Sequence, residues 1–295
     1  MAALNPALSW WPAPAKLNLF LHVVGRRTDG YHDLQTLFQI VDLHDRIGLG
    51  RREDGIIQRI EGMAEVEPEK DLAVRAARVL QRHTGTHLGA DLHVIKHIPA
   101  GGGLGGGSSD AATVLLALNR LWKTGVPLPE LAALGLSLGA DVPLFVYGAS
   151  AWGEGRGERL IPLSTPPRWF LIVHPGISVS TAEIFQAPEL TRNSSLITMR
   201  AAAFGQTRND CEPVVRGRYP EVAAALDWLD AQLEGRDAHN GARLTGTGAC
   251  IFASFEHEQD ARRIAHSVPA KWSGFVARGI DRSPAHDQLE TSLRV

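Results

Sequence analysis

Apolar and polar positions follow one another along the chain in patterns that predict strands alternating with helices. From Lys16 the segment LNLFLHVVG alternates enough to indicate a strand, and Asp29-Gly30 after it is a hairpin signal. The next segment, residues 31–49, has an ambiguous period and fits either a strand or a helix. Residues 90–98 indicate another strand. The first third of the chain is therefore predicted to be rich in strands.

Three segments of the first half have the spacing of amphipathic helices. In residues 71–84, four apolar side chains fall on one helical face: Leu72, Ala76, Val79 and Leu80. A second helix is predicted directly after a glycine-rich segment, with apolar residues in register from Ala111 to Trp122. Pro129 and Glu130 open a third, which is predicted to run to residues 135–139.

A cluster of prolines, Pro162, Pro166 and Pro167, is the best candidate for a domain boundary. We therefore divide the chain into residues 1–163 and 164–295. The second part is predicted to alternate again: a strand at 169–176, a helix opened by Pro220-Glu221, a glycine-rich turn and strand at 244–255, a helix at 258–268 and a strand at 274–280. Such alternation is typical of a small α+β sandwich.

The composition is that of a globular protein. Of 295 residues, 44% are hydrophobic and 21% charged, which is enough for one large core or two of ordinary size. Thirty basic residues against 32 acidic ones give a net charge of −2. Because this balance supplies no basic field, we expect no nucleic-acid partner.

The two cysteines and the N-terminus bear on location. Cys211 and Cys250 are too few for a disulfide framework or a four-cysteine zinc site, which favours a reducing cytoplasm. The stretch from Met1 to Ala15 has no charged side chain, but prolines interrupt it and no basic residue precedes it. We therefore expect neither an export signal nor a membrane anchor.

The strongest chemical signal is the segment PAGGGLGGGSSDAAT at residues 99–113. Six glycines in the seven positions 101–107 remove every Cβ except that of Leu104, so that backbone N–H groups can approach an anion closely. The helix that follows directs about half a positive charge at the same place. The alternative, a flexible linker, fits poorly between an apolar strand and an amphipathic helix.

Two familiar nucleotide-binding loops do not fit this segment. A Walker loop ends in Gly-Lys-Ser/Thr, whereas Gly107 is followed by Ser108. Gly101, Gly103 and Gly106 match the dinucleotide pattern literally, but no acidic residue lies between Asp110 and Glu130, where that pattern requires one. A Rossmann dehydrogenase is therefore the weaker interpretation.

The loop resembles the phosphate loop of the GHMP kinase superfamily. Residues 12–39, 138–160, 209–212 and 243–252 are similar to the members that phosphorylate 4-diphosphocytidyl-2-C-methyl-D-erythritol, and the resemblance runs from about Pro12 to about Ser283. It implies an α+β fold of two domains, an N-terminal one like domain 2 of ribosomal protein S5 and a C-terminal ferredoxin-like α/β sandwich. The active site would lie in the cleft between them. The implied reaction is transfer of the γ-phosphoryl group of ATP to the 2-hydroxyl of that alcohol, in the non-mevalonate route to isoprenoid precursors.

The resemblance also implies roles for individual residues. From the sequence alone, Asp141 is explained equally well as a helix cap. The resemblance implies that it deprotonates or orients the substrate hydroxyl. Lys16 becomes the ammonium that keeps Asp141 ionised and stabilises the developing alkoxide. Asn18 lies two residues further along the strand, on the same face, where it could hydrogen-bond the alcohol or the carboxylate.

A pyrimidine pocket is implied by a second group of residues. By resemblance Tyr31 stacks on cytosine, His32 hydrogen-bonds its edge, and Thr181 and Phe185 complete the pocket. Homoserine, mevalonate and galactose kinases are alternatives within the superfamily, but their substrates carry no base to stack. A nucleotide-binding pseudokinase is the alternative that is not an enzyme, and it would be expected to have lost Lys16 or Asp141.

The remaining predicted site residues serve ATP or support the site. Gly246 and Gly248 are placed near the cleft by resemblance as supporting residues. ATP would be the co-substrate, with Mg²⁺ held chiefly by its phosphates and by Ser108 or Ser109. The predicted ATP-binding residues are Lys96, Pro99, Ala100, Gly101, Gly102, Gly103, Leu104, Gly105, Gly106, Gly107, Ser108 and Ser109.

Three further expectations concern metals, partners and one departure from the family pattern. The histidine pairs 83/87 and 93/97 have i,i+4 spacing, but we expect no protein metal site. We expect only small-molecule partners, no membrane, and a monomer or homodimer. Asp110 stands where the family often has asparagine, and we expect its side chain to face outward in the first turn of the helix.

Overall fold

The computed structural model describes residues 8–203, 207–234 and 239–291, and within them the chain is α+β, as predicted. The strands are β1 (Ser9–Arg26), β2 (His32–Arg52), β3 (Ile57–Glu61), β4 (Gly89–Ile95), β5 (Ala151–Gly155), β6 (Arg159–Pro162), β7 (Trp169–His174), β8 (His239–Leu244), β9 (Ile251–Phe255) and β10 (Ser273–Ile280). The helices are α1 (Leu72–Thr84), α2 (Gly106–Leu121), α3 (Leu128–Leu136), α4 (Val142–Tyr147), α5 (Thr181–Gln186), α6 (Met199–Ala203), α7 (Glu212–Arg218), α8 (Pro220–Leu233), α9 (Glu258–Ala265) and α10 (Pro284–Thr291).

The first two strands form a long antiparallel hairpin. Its turn holds Gly30 at φ +86°, a conformation that glycine adopts without strain, and the hairpin predicted at Asp29-Gly30 is confirmed. The ambiguous segment at residues 31–49 is therefore a strand, because it pairs with β1 along its whole length. Tertiary pairing, rather than local period, decides its structure.

The long strand β2 links the two halves of the sheet. β1 lies along one of its edges, while β5, β10 and β4 pair in turn with residues 34–38, 40–41 and 46–52 on the other. β10 continues the sheet to β7, β9 and β8. β10 lies near the end of the chain and pairs with β2, so the C-terminal part of the chain packs against the N-terminal part.

Three apolar clusters fill the interior. One lies under helices α1 to α4 and includes Leu80, Leu92 and Leu115. A second lies between β7, β9 and helices α7 to α9. The third lies between the other two and buries Leu104 of the glycine-rich segment against β1, β7 and β9. Leu104, the one side chain among the glycines, therefore anchors that segment in the core.

The second edge of β1 pairs with connecting segments instead of a strand. Lys16 N donates to Leu104 O (3.0 Å), and Asn18 N donates to Thr245 Oγ1 (2.9 Å). Further along, Leu21 N donates to Arg208 O (3.0 Å) and Val23 N to the Asp210 carboxylate (2.8 Å). An edge strand needs such partners, and here they bring the glycine-rich segment and the turn at 244–250 against one side of β1.

The C-terminal helix α10 packs on the first half of the chain. His286 Nε2 lies 2.9 Å from Val146 O, and Gln288 Nε2 donates to Trp10 O (2.7 Å). The division at residues 163/164 stays a prediction. None of the helices in the described part of the chain has the length and apolar character needed to cross a membrane.

Candidate active site

Lys16 and Asp141 form an ion pair beside the glycine-rich loop. Lys16 Nζ lies 3.2 Å from Asp141 Oδ2, and the side chain of Lys16 is 5% exposed whereas that of Asp141 is 29% exposed. Lys16 Nζ also donates to Asn18 Oδ1 (2.6 Å), while Asn18 Nδ2 donates to Thr36 Oγ1 (2.8 Å). The amide of Asn18 therefore fixes the buried ammonium, which contacts a carboxylate that an incoming hydroxyl can reach.

The backbone places Asp141 at the N-terminus of α4 without using its side chain there. Asp141 is the residue before the first helical residue, yet its carboxylate makes no capping hydrogen bond. It pairs with Lys16 instead. The sequence left open whether Asp141 is a helix cap, and the geometry shows a cap position whose side chain is free for another role.

The loop at residues 99–109 is held from both halves of the molecule. Ala249 N donates to Gly101 O and Cys250 N donates to Gly102 O, both at 3.1 Å. A Cβ at Gly102 would lie 2.6 Å from Cys250 Sγ. Here the missing Cβ admits the turn at 244–250, so this glycine serves packing as well as any approach to an anion.

Gly105 is the glycine nearest the ion pair. It has φ +73°, and a Cβ there would lie 3.2 Å from Lys16 Cε and 3.0 Å from the Phe145 ring. A larger residue would therefore displace the ammonium. This is also the N-cap of α2, whose first N–H groups and dipole favour an anion.

A cavity of about 350 Å³ lies over the loop. The predicted ATP-binding residues from Pro99 to Ser108 line it, as does Lys96. Met63, Val66 and Leu72 also line it; Met63 and Val66 were not predicted, and Leu72 was predicted only as part of the apolar face of α1. No motif marks Met63 and Val66, because they lie in the polar segment before α1, whereas Leu72 is the first residue of that helix. Ser109 does not line the cavity: its hydroxyl is fully buried and has no hydrogen-bond partner in the described structure.

Lys96 is bound by two carboxylates under the loop. Its Nζ contacts Asp45 Oδ2 and donates to Asp110 Oδ2 (2.6 Å). The other oxygen of Asp45 accepts from His97 N (2.6 Å) and Ile98 N (2.8 Å). Burial lowers the pKa of Lys96, but Asp110 and Asp45 outweigh it, so the pKa lies above its usual value. This cluster fixes the strand that leads into the loop.

The expectation that Asp110 faces outward is wrong. Asp110 is 4% exposed and points at Lys96. Burial, with a smaller contribution from Asp45, raises its pKa to about 8, although Lys96 acts in the opposite direction. The rule that favours an exposed acid in the first turn does not apply, because α2 begins at Gly106 and Asp110 lies beyond its first turn. A buried cation from another element attracts the carboxylate instead.

The turn at 244–250 is fastened by the segment at residues 209–212. Asn209 Nδ2 donates to Leu244 O (2.9 Å) and Gly246 O (2.7 Å), and Glu212 accepts from Leu244 N (3.1 Å). A Cβ at Gly246 would lie 3.4 Å from Asn18 Oδ1 and 3.3 Å from Gly103 O. The turn at 244–250 therefore lies against both Asn18, which binds Lys16, and the glycine-rich loop.

Thr181 and Phe185 reach the site through α5. Thr181 Oγ1 lies 2.9 Å from Thr247 Oγ1, next to Gly246 and Gly248. The Phe185 ring stacks on the ring of His32 with centroids 5.3 Å apart and planes at 23°. α5 thus connects the turn at 244–250 with the start of β2, where the pyrimidine pocket is predicted.

Tyr31 stands apart from this stack. It is 55% exposed, and the Arg156 guanidinium lies 4.8 Å from its ring centroid. His32 is buried, and Arg192 Nε donates to its Nε2 (3.1 Å). Neither arginine was predicted: Arg192 lies in a segment without a recognisable motif, and Arg156 lies in the segment 138–160, in which only Asp141 was given a role. The structure therefore brings together His32, Phe185 and Thr181, and leaves Tyr31 at the rim.

The described residues contain no group of three or more histidines, cysteines or acids arranged to hold a metal. His83 Nε2 lies 2.7 Å from Glu130, and His93 Nδ1 lies 3.4 Å from Glu61. Each of these two histidines is thus engaged with a carboxylate rather than with its i+4 partner.

Two family models match the chain on either side of the proline cluster. The GHMP kinases N terminal domain matches residues 71–149, and the GHMP kinases C terminal model matches residues 187–274. The first match covers the glycine-rich loop and Asp141, and the second covers Arg192 and the turn at 244–250.

Similar proteins cover nearly the whole chain. A 4-diphosphocytidyl-2-C-methyl-D-erythritol kinase of Halorhodospira halophila is 56% identical over 97% of this chain and 98% of its own length. The enzyme of the same name from Alkalilimnicola ehrlichii is 58% identical over 92% of each chain. A crystal structure of 4-(cytidine 5'-diphospho)-2C-methyl-D-erythritol kinase superposes with a TM-score of 0.78 at 35% identity, over 92% of this chain and 100% of the other. A homoserine kinase from Cytophaga hutchinsonii, at 16% identity and a TM-score of 0.66, shares the fold.

Proposed function

The chain belongs to the 4-diphosphocytidyl-2-C-methyl-D-erythritol kinases of the GHMP kinase family, and from that premise we propose how its residues carry out the reaction. It transfers the γ-phosphoryl group of ATP to the 2-hydroxyl of 4-diphosphocytidyl-2-C-methyl-D-erythritol, a step of the non-mevalonate route to isoprenoid precursors. The fold is that of two GHMP kinase domains, and the division between them is proposed at residues 163/164.

ATP binds in the cavity over the glycine-rich loop. Its phosphates lie against the backbone of residues 101–107 and the N-terminus of α2, where N–H groups and the helix dipole attract an anion. Its adenosine part packs on the apolar wall of Met63, Val66 and Leu72. The volume of about 350 Å³ suits one small ligand of this class.

Lys16 and Asp141 act on the transferred group and the attacking hydroxyl. The half-open carboxylate of Asp141 accepts a hydrogen bond from the 2-hydroxyl and aligns it with the γ-phosphorus. The buried ammonium of Lys16, held by Asn18, offsets negative charge that develops on the hydroxyl oxygen. Phosphoryl transfer depends chiefly on such positioning and charge neutralisation.

Mg²⁺ is proposed to arrive with ATP. The described residues hold no metal cluster, but the Ser109 hydroxyl is an enclosed oxygen without a protein partner in the first turn of α2. Ser108 lines the cavity one residue earlier. Both are oxygen ligands of the kind that Mg²⁺ takes alongside phosphates. When held there with ATP, the ion would supply positive charge that offsets the charge of the phosphates.

The cytidyl group binds beside His32. Phe185 covers the imidazole ring, and Tyr31 lies exposed at the rim, where a base that stacks on its ring takes the place of the Arg156 guanidinium or uses the other face. A pyrimidine offers a flat face and a polar edge, which suit one aromatic ring and one imidazole. Thr181, through its contact with Thr247, lies between this pocket and the ion pair.

Fewer observations bear on the location and the assembly of the protein. Cys211 and Cys250 are both buried free thiols, and burial raises their pKa values and lowers their reactivity. The scarcity of cysteines in the sequence is what favours a reducing cytoplasm. We propose a cytoplasmic monomer or homodimer with small-molecule partners and no nucleic-acid partner.

The observation that carries this function is the Lys16–Asp141 pair next to the loop. ADP release should be measured with purified protein and Mg-ATP, comparing 4-diphosphocytidyl-2-C-methyl-D-erythritol with homoserine and mevalonate. We expect release only with the cytidyl compound. Release with another alcohol would overturn the pyrimidine pocket, and tight ATP binding without any release would indicate a pseudokinase.

A further inference from the structure

Arg192 occupies an unusual place for an arginine. It lies between α5 and α6 and donates four hydrogen bonds, three of them to backbone carbonyls: Leu190 O (3.0 Å), Phe185 O (3.0 Å) and Ala187 O (2.7 Å). The fourth goes from its Nε to Nε2 of His32 at 3.1 Å. The guanidinium is therefore fixed in orientation by carbonyls at the end of α5 and just after it, and its Nε–H is aimed at one nitrogen of one imidazole.

The direction of that hydrogen bond determines where the proton of His32 lies. Arginine has only donors, so Nε2 must accept through its lone pair. A neutral imidazole carries one proton, which is then on Nδ1. Burial, followed by the charges of Arg192 and Arg26, lowers the pKa of His32 and so favours the neutral ring. Among the described residues, Arg192 and Arg26 are the charged groups that act on it, and Phe185 covers its face.

The protonated nitrogen is available to a ligand. Nδ1 of His32 has no hydrogen-bond partner in the described structure, and it is not among the fully enclosed polar atoms that lack one. His32 thus offers one N–H donor, from a ring held by Phe185 on its face and by Arg192 at its other nitrogen. This donor lies in the pocket where the cytidyl group is proposed to bind, and the inference rests on that function.

We propose that Arg192 is a specificity-determining positioning residue, which holds His32 as the Nδ1–H tautomer so that the imidazole donates to an acceptor on the pyrimidine edge. Ring nitrogen N3 of cytosine is an acceptor, whereas uracil carries a hydrogen there. The fixed tautomer therefore matches cytosine and opposes uracil. The opposite tautomer would present a lone pair at Nδ1 and reverse the preference. Unpaired or opposed polar groups in a closed pocket discriminate strongly between such analogues.

The tautomer can be read directly in the protein without ligand. Nitrogen-15 NMR of histidine-labelled protein at pH 7.5 distinguishes the two neutral forms, and the His32→Gln variant identifies the His32 signals among the 12 histidines. We expect the Nδ1–H pattern in the unmodified protein. An Nε2–H pattern or a protonated ring at that pH would overturn the proposal, whatever the variants do.

Arg192→Met removes the donor and should shift His32 towards the Nε2–H form and raise its pKa. Arg218→Met is the matched control, because Arg218 also anchors this segment, through Glu189 (2.7 Å), without touching His32. It should leave the tautomer unchanged. If Arg192→Met retains the Nδ1–H pattern, or if both variants shift it equally, Arg192 is only structural and the proposal fails.

Kinetics give an independent measure of the same variants. Arg192→Met should raise KM for the cytidyl substrate about tenfold, the effect of one lost hydrogen bond, and leave kcat and the KM for ATP within about twofold. Its preference for the cytidyl substrate over the uridyl counterpart should fall by a similar factor. Unchanged preference would overturn the proposal. Should the enzyme not use the cytidyl substrate at all, the proposed function fails while the tautomer result stands by itself.

Discussion

Two lysines lie beside the glycine-rich loop, and the carboxylates that pair with them differ in exposure. Lys16 meets Asp141, whose side chain is 29% exposed, together with the neutral amide of Asn18. Lys96 meets Asp45 and Asp110, whose side chains are 0% and 6% exposed. One ammonium thus faces a partly exposed carboxylate, and the other, which itself lines the cavity, is paired with two carboxylates that are almost fully buried.

We propose that this difference separates a reactive pair from a structural one. The Lys16 pair is balanced in charge and open on the side of Asp141, so a hydroxyl and a phosphate can enter the arrangement. The Lys96 cluster has an excess of negative charge, which is relieved by a raised pKa at Asp110 and by N–H donors to Asp45. The type of residue is the same in both places, and the environment sets the role.

The largest effect is expected from Lys16→Met. Methionine keeps most of the side-chain volume but removes the charge that offsets the developing alkoxide, so kcat should fall about 10³-fold. The free energy of unfolding should fall by only about 1–3 kcal/mol, since Asp141 can be hydrated and the Asn18 amide oxygen is the group left buried without its donor. Steady-state kinetics and thermal unfolding together check both expectations, and a loss of kcat below tenfold would remove Lys16 from the chemistry.

Lys96→Met should instead lower the stability of the fold strongly and affect kcat less. It leaves Asp45 and Asp110 buried without a cation, and breaking a buried pair in this way costs about 3–5 kcal/mol. Chemical denaturation would measure the loss of stability. The double variant Lys96→Met/Asp110→Asn should recover part of it. A variant as stable as the parent would show that the cluster is not structural.

Gly102→Ala tests the contact that holds the loop between the two lysines. The added Cβ would lie 2.6 Å from Cys250 Sγ, and such overpacking should cost about 1–3 kcal/mol of stability and raise KM for ATP. The double variant Gly102→Ala/Cys250→Ala should recover the lost stability, because Cys250→Ala removes the sulfur atom that the added Cβ would contact. If the double variant is no better than Gly102→Ala, the glycine is required for another reason.

Asp110→Asn should have the smallest effect, and one that depends on pH. The folded chain keeps a proton on Asp110 up to about pH 8, whereas the unfolded chain releases it near pH 4. The contribution of Asp110 to stability is therefore full below about pH 4 and falls as pH rises to about 8. Asparagine does not titrate, so the variant should gain Tm relative to the parent between pH 5 and pH 8. A constant difference in Tm would contradict the raised pKa.

The sequence predicted the parts of the site that lie in one segment or share a motif. The glycine-rich loop, Lys16 and Asp141, which the sequence singled out, lie close together in the structure, and their roles stay a prediction. The helices at 71–84 and after the loop are confirmed as α1 and α2. The segment at residues 31–49 could not be assigned, because its pairing with β1 and three other strands is a tertiary property.

Contacts between distant segments were missed for the same reason. Asp110 was placed outside because its partners Lys96 and Asp45 come from other elements. Arg192 reaches His32 across 160 positions of sequence, and Met63 and Val66 line the cavity from a segment without a pattern. Local spacing carries information about one face of one element, and these residues act between elements.

The most direct test compares kcat of the Asp141→Asn variant with kcat of the Asp110→Asn variant. We propose that Asp141 is the reactive carboxylate and Asp110 a structural one. The asparagine at 141 keeps the shape but cannot accept the hydroxyl proton, so kcat should fall by about 10²–10⁴-fold while the KM for ATP and the Tm stay near those of the parent. The asparagine at 110 should leave kcat within a few-fold. Equal kcat values for the two variants would contradict the assignment of Asp141 to the chemistry.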